Sequence, residues 1–440
     1  MTDPWRLGLV DALSAIESGR LSATDYLESC IARTLATEPA VGAFAWFDAD
    51  AVRRAAVVSG GALAGMPIAY KDIIETRGVP TEMGSAAFVG HVPERSAWVV
   101  GALGDASALL FGKTVTTEFA WRHPGRTRNP WNLDHTPGGS SSGSAAAVAL
   151  GDVPAALGTQ TFGSVLRPAA FCGVVGYKPS HGAIPRTGVY AVAGSLDHVG
   201  TFTRSVADAA LLTSVLFGRD GIDFAYTPKH PAAWPLGALA RAPRVALLRT
   251  AAWSRASEEQ RALVESVAER LAAAGATVTS LELPAPFDTL WSIAQTICDA
   301  EGAVVNAKLA HEQPPRVSRP TIDLVARGEA LSASQYLRAK EAQQTLIRHF
   351  ASLMAPFDVA LTAAALGEAP AGLADTGDAV FCTPFSLMGS PAIALPAGTS
   401  GHGLPLGVQL VSTWGDDRRL LETAAWVERT LDWRQGFPAV

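Results

Sequence analysis

Two serine-bearing, glycine-rich segments 24 residues apart and a lone upstream lysine could activate a nucleophile without histidine or metal. Lys71 ends the run Gly65-Met-Pro-Ile-Ala-Tyr-Lys-Asp72. Ser140 lies in Thr136-Pro-Gly-Gly-Ser-Ser-Ser-Gly-Ser-Ala145, and Ser164 in Gly158-Thr-Gln-Thr-Phe-Gly-Ser-Val-Leu-Arg-Pro168, 24 residues further on. A serine hydroxyl is a poor nucleophile at neutral pH and needs a base to take its proton. Lysine can be that base near pH 7 only where burial lowers its pKa. The mostly apolar run before Lys71 is consistent with such burial, and a Lys–Ser–Ser relay is the economical reading.

Rival motifs fail on context. Gly139-Ser-Ser-Ser-Gly143 matches G-x-S-x-G, but that nucleophile turn follows a hydrophobic strand, and Asn132-Leu-Asp-His-Thr-Pro137 reads as loop. Phe111-Gly-Lys-Thr114 suggests a phosphate loop, yet Ser107 stands where its first glycine belongs, so Lys113 reads as a surface or structural lysine. The nine histidines show no metal-binding spacing, and His123, His135 and His198 read as structural loop residues. No metal and no organic cofactor is expected.

The elements that must carry these residues alternate between strand and helix. Residues 8–36 read as two helices broken at Gly19-Arg-Leu-Ser22, with Ser22 and Asp25 as a capping pair. The run 66–70 is a strand ending at Lys71, and 95–112 close on Phe111–Thr114. Residues 120–139, rich in Pro, Asn, Asp and Gly, are loop. The alanine-rich stretch after Ser144 is a helix whose free N–H groups face the serine loop. Arg244–Arg249, a helix capped by Ser257 with Gln260, and Ala276–Leu283 make a strand–helix–strand unit. A further helix starts at Ser332 with Gln335 and runs to Met354, before a strand at 359–362. Segment 285–330 is expected to help shape the pocket, and 219–243 is the candidate linker. The pattern gives α/β, as one large α/β/α domain over 1–440, with a mixed twisted sheet covered by helices on both faces. A helical N-terminal part (about 1–60), a catalytic core (about 61–215) and a C-terminal half (about 244–440) complete it.

Composition narrows the class. The 440 residues are 48% hydrophobic and 17% charged, which favours a large buried core over disorder. A net charge of −6 gives no electrostatic case for nucleic acid or an anionic membrane. Cys30, Cys172, Cys298 and Cys382 have no paired spacing and read as reduced, packed thiols. With no leader pattern at Met1–Arg6 and no apolar run of about 20 residues, a cytoplasmic protein is expected.

These segments together resemble the amidase signature family: a glycine–serine loop, a G-T-D-T-G-G-S-like stretch 24 residues later, and an upstream Lys-Asp pair. Phe171-Cys-Gly-Val-Val-Gly-Tyr-Lys-Pro179, Ser195-Leu-Asp-His-Val-Gly200 and Gly403-Leu-Pro-Leu-Gly-Val-Gln-Leu410 extend the likeness over about 20–430. The resemblance implies Ser164 as nucleophile, Ser140 as bridging serine after a cis peptide at Gly139, and Lys71 as base. Backbone N–H groups of Thr161, Phe162, Gly163 and Ser164 would form the oxyanion hole. The chain departs from the pattern at Gln160 (usually Asp), Phe162 (usually Gly), Leu166 (usually Arg) and Ser386 (often Asn). A positive φ required at Phe162 would displace the oxyanion donors. Gln160 with Arg167 is similar to the malonamidase branch, which implies Arg167, Gly139 and Gln160 as substrate contacts and a carboxylate-bearing amide as substrate. The duller reading of Arg167 is an internal salt bridge or hydrogen bonds to loop carbonyls. Members are often homodimers, which leaves oligomeric state open. The expected activity is hydrolysis of a small linear amide. The alternatives are an ammonia-generating subunit of an amidotransferase or a non-catalytic binding protein of the same fold.

Overall fold

The computed structural model describes residues 3–56, 60–225, 235–433 and 436–440. One mixed sheet of eleven strands runs through it. In chain order these are β1 (Phe44–Trp46), β2 (Pro67–Lys71), β3 (Leu109–Thr114), β4 (Ala155–Gln160), β5 (Val175–Lys178), β6 (His198–Thr203), β7 (Arg244–Arg249), β8 (Thr277–Glu282), β9 (Val359–Ala363), β10 (Ala392–Thr399) and β11 (Pro405–Val411). Their spatial order is β1-β3-β2-β4-β6-β5-β10-β11-β9-β7-β8. Parallel pairs β3–β2–β4 and β9–β7–β8 flank an antiparallel centre.

The central strands read as continuous runs of small and apolar residues because helices cover both faces. Every residue of β2, β4, β5, β6, β9 and β11 is buried. The two edges are managed differently. Strand β1 is only three residues long, and β8 exposes Thr277, Thr279, Ser280 and Glu282 to water. The expected α/β/α architecture is what the chain adopts.

Local signals place the helices. Ser22 accepts from Asp25 N at the start of Ala23–Val41, Ser257 from Gln260 N at Glu258–Ala273, and Ser332 with Gln335 makes a reciprocal box opening Ala333–Met354. The helix Ser142–Leu150 starts three residues before the alanine run and is buried along its whole length. A Cβ on its Gly143 would lie 2.1 Å from Ala43 O and 2.5 Å from Val115 N, so only glycine lets this helix sit so close to the sheet. Part of the candidate linker, 226–234, lies outside the described residues. Among the described residues no helix is long and apolar enough to cross a membrane.

Candidate active site

The site forms at the carboxyl ends of the adjacent parallel strands β2 and β4, where open α/β sheets commonly bind ligands. Lys71 is the last residue of β2 and is fully buried. Its Nζ lies 2.7 Å from Ser140 Oγ and 2.8 Å from Thr159 Oγ1 on β4. Burial pushes its pKa well below the usual lysine value, opposed only in part by the field of Asp197. Sequence reasoning missed Thr159, since a threonine inside a strand carries no signal of its own.

Ser140 follows a cis peptide bond at Gly139. The other serines of its loop are struts. Ser141 Oγ donates to Thr159 O and accepts from Thr159 N, both at 3.2 Å. Ser142 Oγ donates to Val115 O, and Ser144 Oγ to Leu157 O. Ser140 alone of the four meets both Lys71 and the cavity in front of it. That cavity, about 350 Å³, is walled by Ser140, Thr161, Phe162, Gly163, Ser164 and Arg167 on one side. Trp121, Arg122, Trp291, Gln295 and the stretch Asp375–Val380 wall the other. Trp291 and Gln295 come from segment 285–330, as expected of it.

The turn bearing Ser164 is held from beneath. Gln160 Oε1 accepts from Val165 N (2.8 Å) and Leu166 N (3.0 Å), and its Nε2 donates to Ser386 Oγ (2.9 Å). Ser386 in turn donates to Phe162 O at 2.8 Å. This corrects the expectation that Gln160 contacts substrate: it is wholly buried and both ends of its amide are spent on the turn. Ser386, left without a role by the sequence, completes the same support from 226 residues away. Phe162 is not among the positive-φ residues, so the turn accepts its side chain without backbone strain, and its ring meets Trp121 edge-on at 6.0 Å. A Cβ at Gly163 would come within 2.8 Å of Ala379 Cβ, which keeps that position glycine. Among the described residues no acceptor takes the N–H groups of Phe162, Gly163 or Ser164.

Arg167 is buried and borders the cavity, but its Nη2 donates to Gly139 O (2.6 Å) and Thr376 Oγ1 (3.1 Å). Gly139 thus presents its carbonyl to Arg167, outside the cavity wall. Asp197 accepts from Thr161 Oγ1, Val192 N and Ala193 N, and burial raises its pKa to about 6. Lys113 is no surface lysine. Fully buried, it contacts Ile74 O, Thr81 Oγ1 and, at 3.3 Å, Asp72. His198 begins β6 instead of lying in a loop, with Nδ1 3.3 Å from Gln160 O. Among the described residues no cluster of His, Cys, Asp and Glu could hold a metal ion.

Ser386→Ala deletes one hydroxyl yet strands the Phe162 carbonyl and the Gln160 amide. Its expected effect is a roughly 10–100-fold fall in kcat with only a small fall in melting temperature, because it loosens the turn from Phe162 to Ser164 by a fraction of an ångström. Steady-state kinetics beside a thermal melt checks this.

Comparison with known proteins places the chain in a family. A family model described as Amidase matches residues 25–421. A glutamyl-tRNA(Gln) amidotransferase subunit from Synechococcus sp. (strain CC9902) is 35% identical over 467 aligned positions, covering 95% of each chain. Among solved structures, 6-aminohexanoate cyclic dimer hydrolase bound to its substrate superimposes with TM-score 0.88 at 27% identity, covering 100% of this chain and 99% of that one. The corresponding glutamyl-tRNA(Gln) amidotransferase subunit from Thermotoga maritima gives 0.86 at 27%, covering 100% and 98%. On this evidence the chain belongs to the amidase signature family and is an enzyme that hydrolyses amide C–N bonds.

Proposed function

We propose that Ser164 is the nucleophile, Ser140 the proton relay and Lys71 the general base in cleavage of a small linear carboxamide. The observation that carries this reading is the buried Lys71 amine 2.7 Å from Ser140 Oγ, at the floor of the cavity that Ser164 lines. Burial depresses the Lys71 pKa and so favours the neutral amine, the form that can accept a proton. Ser164 Oγ attacks the amide carbon while its proton passes to Ser140, and the Ser140 proton passes to Lys71 Nζ. The carbonyl oxygen becomes an oxyanion facing the unengaged N–H groups of Phe162, Gly163 and Ser164, each worth about 3 kcal/mol in such sites. Reverse transfer through Ser140 protonates the departing nitrogen, which leaves as ammonia or an amine. Water then repeats the sequence on the acyl-enzyme and frees the acid.

Two settings share this chemistry. In one the chain is a free amidase; in the other its ammonia serves a partner protein. Relatives named as subunits of glutamyl-tRNA(Gln) amidotransferase favour the second, at 34–35% identity over nearly the full length of both chains. Ammonia release by the chain alone, compared with the chain plus whatever co-purifies with it, separates them: a partner-dependent enzyme is slow alone and accelerated on addition. A non-catalytic role has lost its motive, since Phe162 needs no left-handed backbone. We further infer an acidic amide as substrate, from the Arg122 guanidinium on the cavity wall. Arg167 is engaged by Gly139 O and Thr376 Oγ1, and of the two carboxylates on the same cavity, Asp375 and Asp378, the latter is paired with Arg255.

Ser164→Ala should lower kcat at least about 10⁴-fold and Lys71→Ala by about 10³-fold, both with the fold intact. Because Lys71 must be unprotonated to act, and its pKa is depressed, kcat/KM should fall as pH drops through that pKa. Wild-type-like turnover in Ser164→Ala would overturn the mechanism. For substrate charge, Arg122→Ala should raise KM for malonamate about tenfold and leave a neutral amide of similar size unchanged. Arg167→Ala should lower kcat on both, by freeing the Gly139 carbonyl. An equal loss on both amides in Arg122→Ala would remove the acidic-substrate reading.

A further inference from the structure

The cavity wall opposite Ser164 depends on a buried carboxyl group that the relay does not use. Glu118 is 4% exposed and has no cationic partner among the described residues. Its oxygens instead collect neutral donors from two distant segments. Ser318 N approaches at 2.9 and 3.2 Å, Thr321 Oγ1 at 2.9 Å, Ser85 Oγ at 2.9 Å, and Ser318 Oγ also donates to it. Ser318 is the N-cap of the helix Arg319–Glu329, yet its own side chain makes no cap bond. Glu118, 200 residues earlier, accepts the N–H of the N-cap residue itself, the bond that a capping-box glutamate inside the helix would otherwise make.

What Glu118 anchors on its own side is the substrate wall. The next two residues, Phe119 (φ 52) and Ala120 (φ 55), hold left-handed backbone that neither favours. Strain of that kind persists where surroundings over-determine it, and here it turns the chain so that Trp121 and Arg122 line the cavity. Trp121 is fixed at its far end by Nε1 donating to Pro320 O, in the first turn of the same helix, and packs edge-on against Phe162 beside the oxyanion donors. At the near end Thr117 N donates to Ser140 O. One short stretch, 117–122, therefore touches Ser140, Phe162 and the helix Arg319–Glu329 together.

We propose that Glu118 is a positioning residue that docks the helix Arg319–Glu329 onto the Trp121 wall, and that Trp121 against Phe162 sets how large an acyl group the enzyme accepts. This rests on Ser164 being the nucleophile. Glu118 touches no substrate; it acts through Trp121. Replacing either residue should thus widen the cavity in the same way, and the two replacements should not add.

The test uses the full chain and a series of straight-chain alkyl fluorophosphonates of increasing length, scored by rate of mass gain at Ser164, beside KM and kcat for primary amides of matching length. Wild type should show a sharp length cut-off. Glu118→Ala should move the cut-off to longer chains and raise KM for the preferred amide about tenfold with kcat changed less than about threefold. Trp121→Ala should do the same, and the double variant should match Trp121→Ala alone. Should Glu118→Ala fail to fold, Thr321→Val and Trp121→Phe each remove one tie and should shift the cut-off partway. Additive effects, or an unchanged length profile in folded variants, would overturn the inference. A wild-type Ser164 unreactive toward every probe would instead overturn the nucleophile assignment, and this inference with it.

Discussion

A lysine amine shut away from water without a neutralising partner is the constraint around which this molecule is arranged. Removing an ammonium from water costs several kcal/mol even after the protein relaxes, so burial favours the neutral amine and pushes the Lys71 pKa down. Lys71 meets hydroxyls at its nitrogen, those of Ser140 and Thr159, and both tolerate either protonation state because a hydroxyl donates or accepts. Asp197, the carboxyl whose field reaches it, is itself driven toward its neutral form by burial. A full ion pair at that point would have held the proton on the lysine. The neighbouring Lys113 shows the contrast: placed against Asp72 and Thr81, it is a structural tie on the strand beside Lys71.

Making the amine useful then becomes a problem of placing serines. The loop carries four within five residues, and three are consumed holding it to its neighbouring strands through backbone carbonyls. The Ser164 turn is treated likewise. Gln160 gathers the amides just past Ser164, Ser386 pins the carbonyl just before it, and the N–H groups between them are left unengaged. Free donors beside a spent acceptor network are the arrangement an oxyanion requires, because donors already oriented need no reorganisation when charge develops.

The outer half of the cavity is built on another principle. Trp121, Arg122, Trp291 and Asp375–Val380 come from segments far apart in the chain, tied by single long-range contacts such as Glu118 to Ser318 and Trp291 Nε1 to Val380 O. The Lys71–Ser140 centre is held by Lys71 at the end of β2, Thr159 on β4 and the serine loop that opens the helix Ser142–Leu150. The facing wall is assembled across the fold, where substitutions can reshape the cavity without touching Lys71 or its serines.

The division between sequence and structure follows from the range of each interaction. Capping at Ser22, Ser257 and Ser332, the strand leading to Lys71, and the serine helix were legible because each rests on neighbours three or four residues apart. Lys71, Ser140 and Ser164 were singled out by the joint pattern of three segments and its resemblance to the amidase signature, since a lysine closing an apolar run or a serine among glycines says little alone. Gln160 looked like a substrate contact and Lys113 like a surface or structural lysine, because a polar side chain does not announce which way it faces. Whether Phe162 could sit in the Ser164 turn depended on a φ angle that spacing cannot give. Ser386, Glu118 and Thr159 were silent for the same reason: their partners lie on other strands, or up to 226 residues away. The sequence by itself determined which groups could react and the elements that carry them. Only the tertiary structure decided which polar groups were spent on support and which stayed free, since hydrogen-bond satisfaction in a buried site is settled by the whole packed neighbourhood at once.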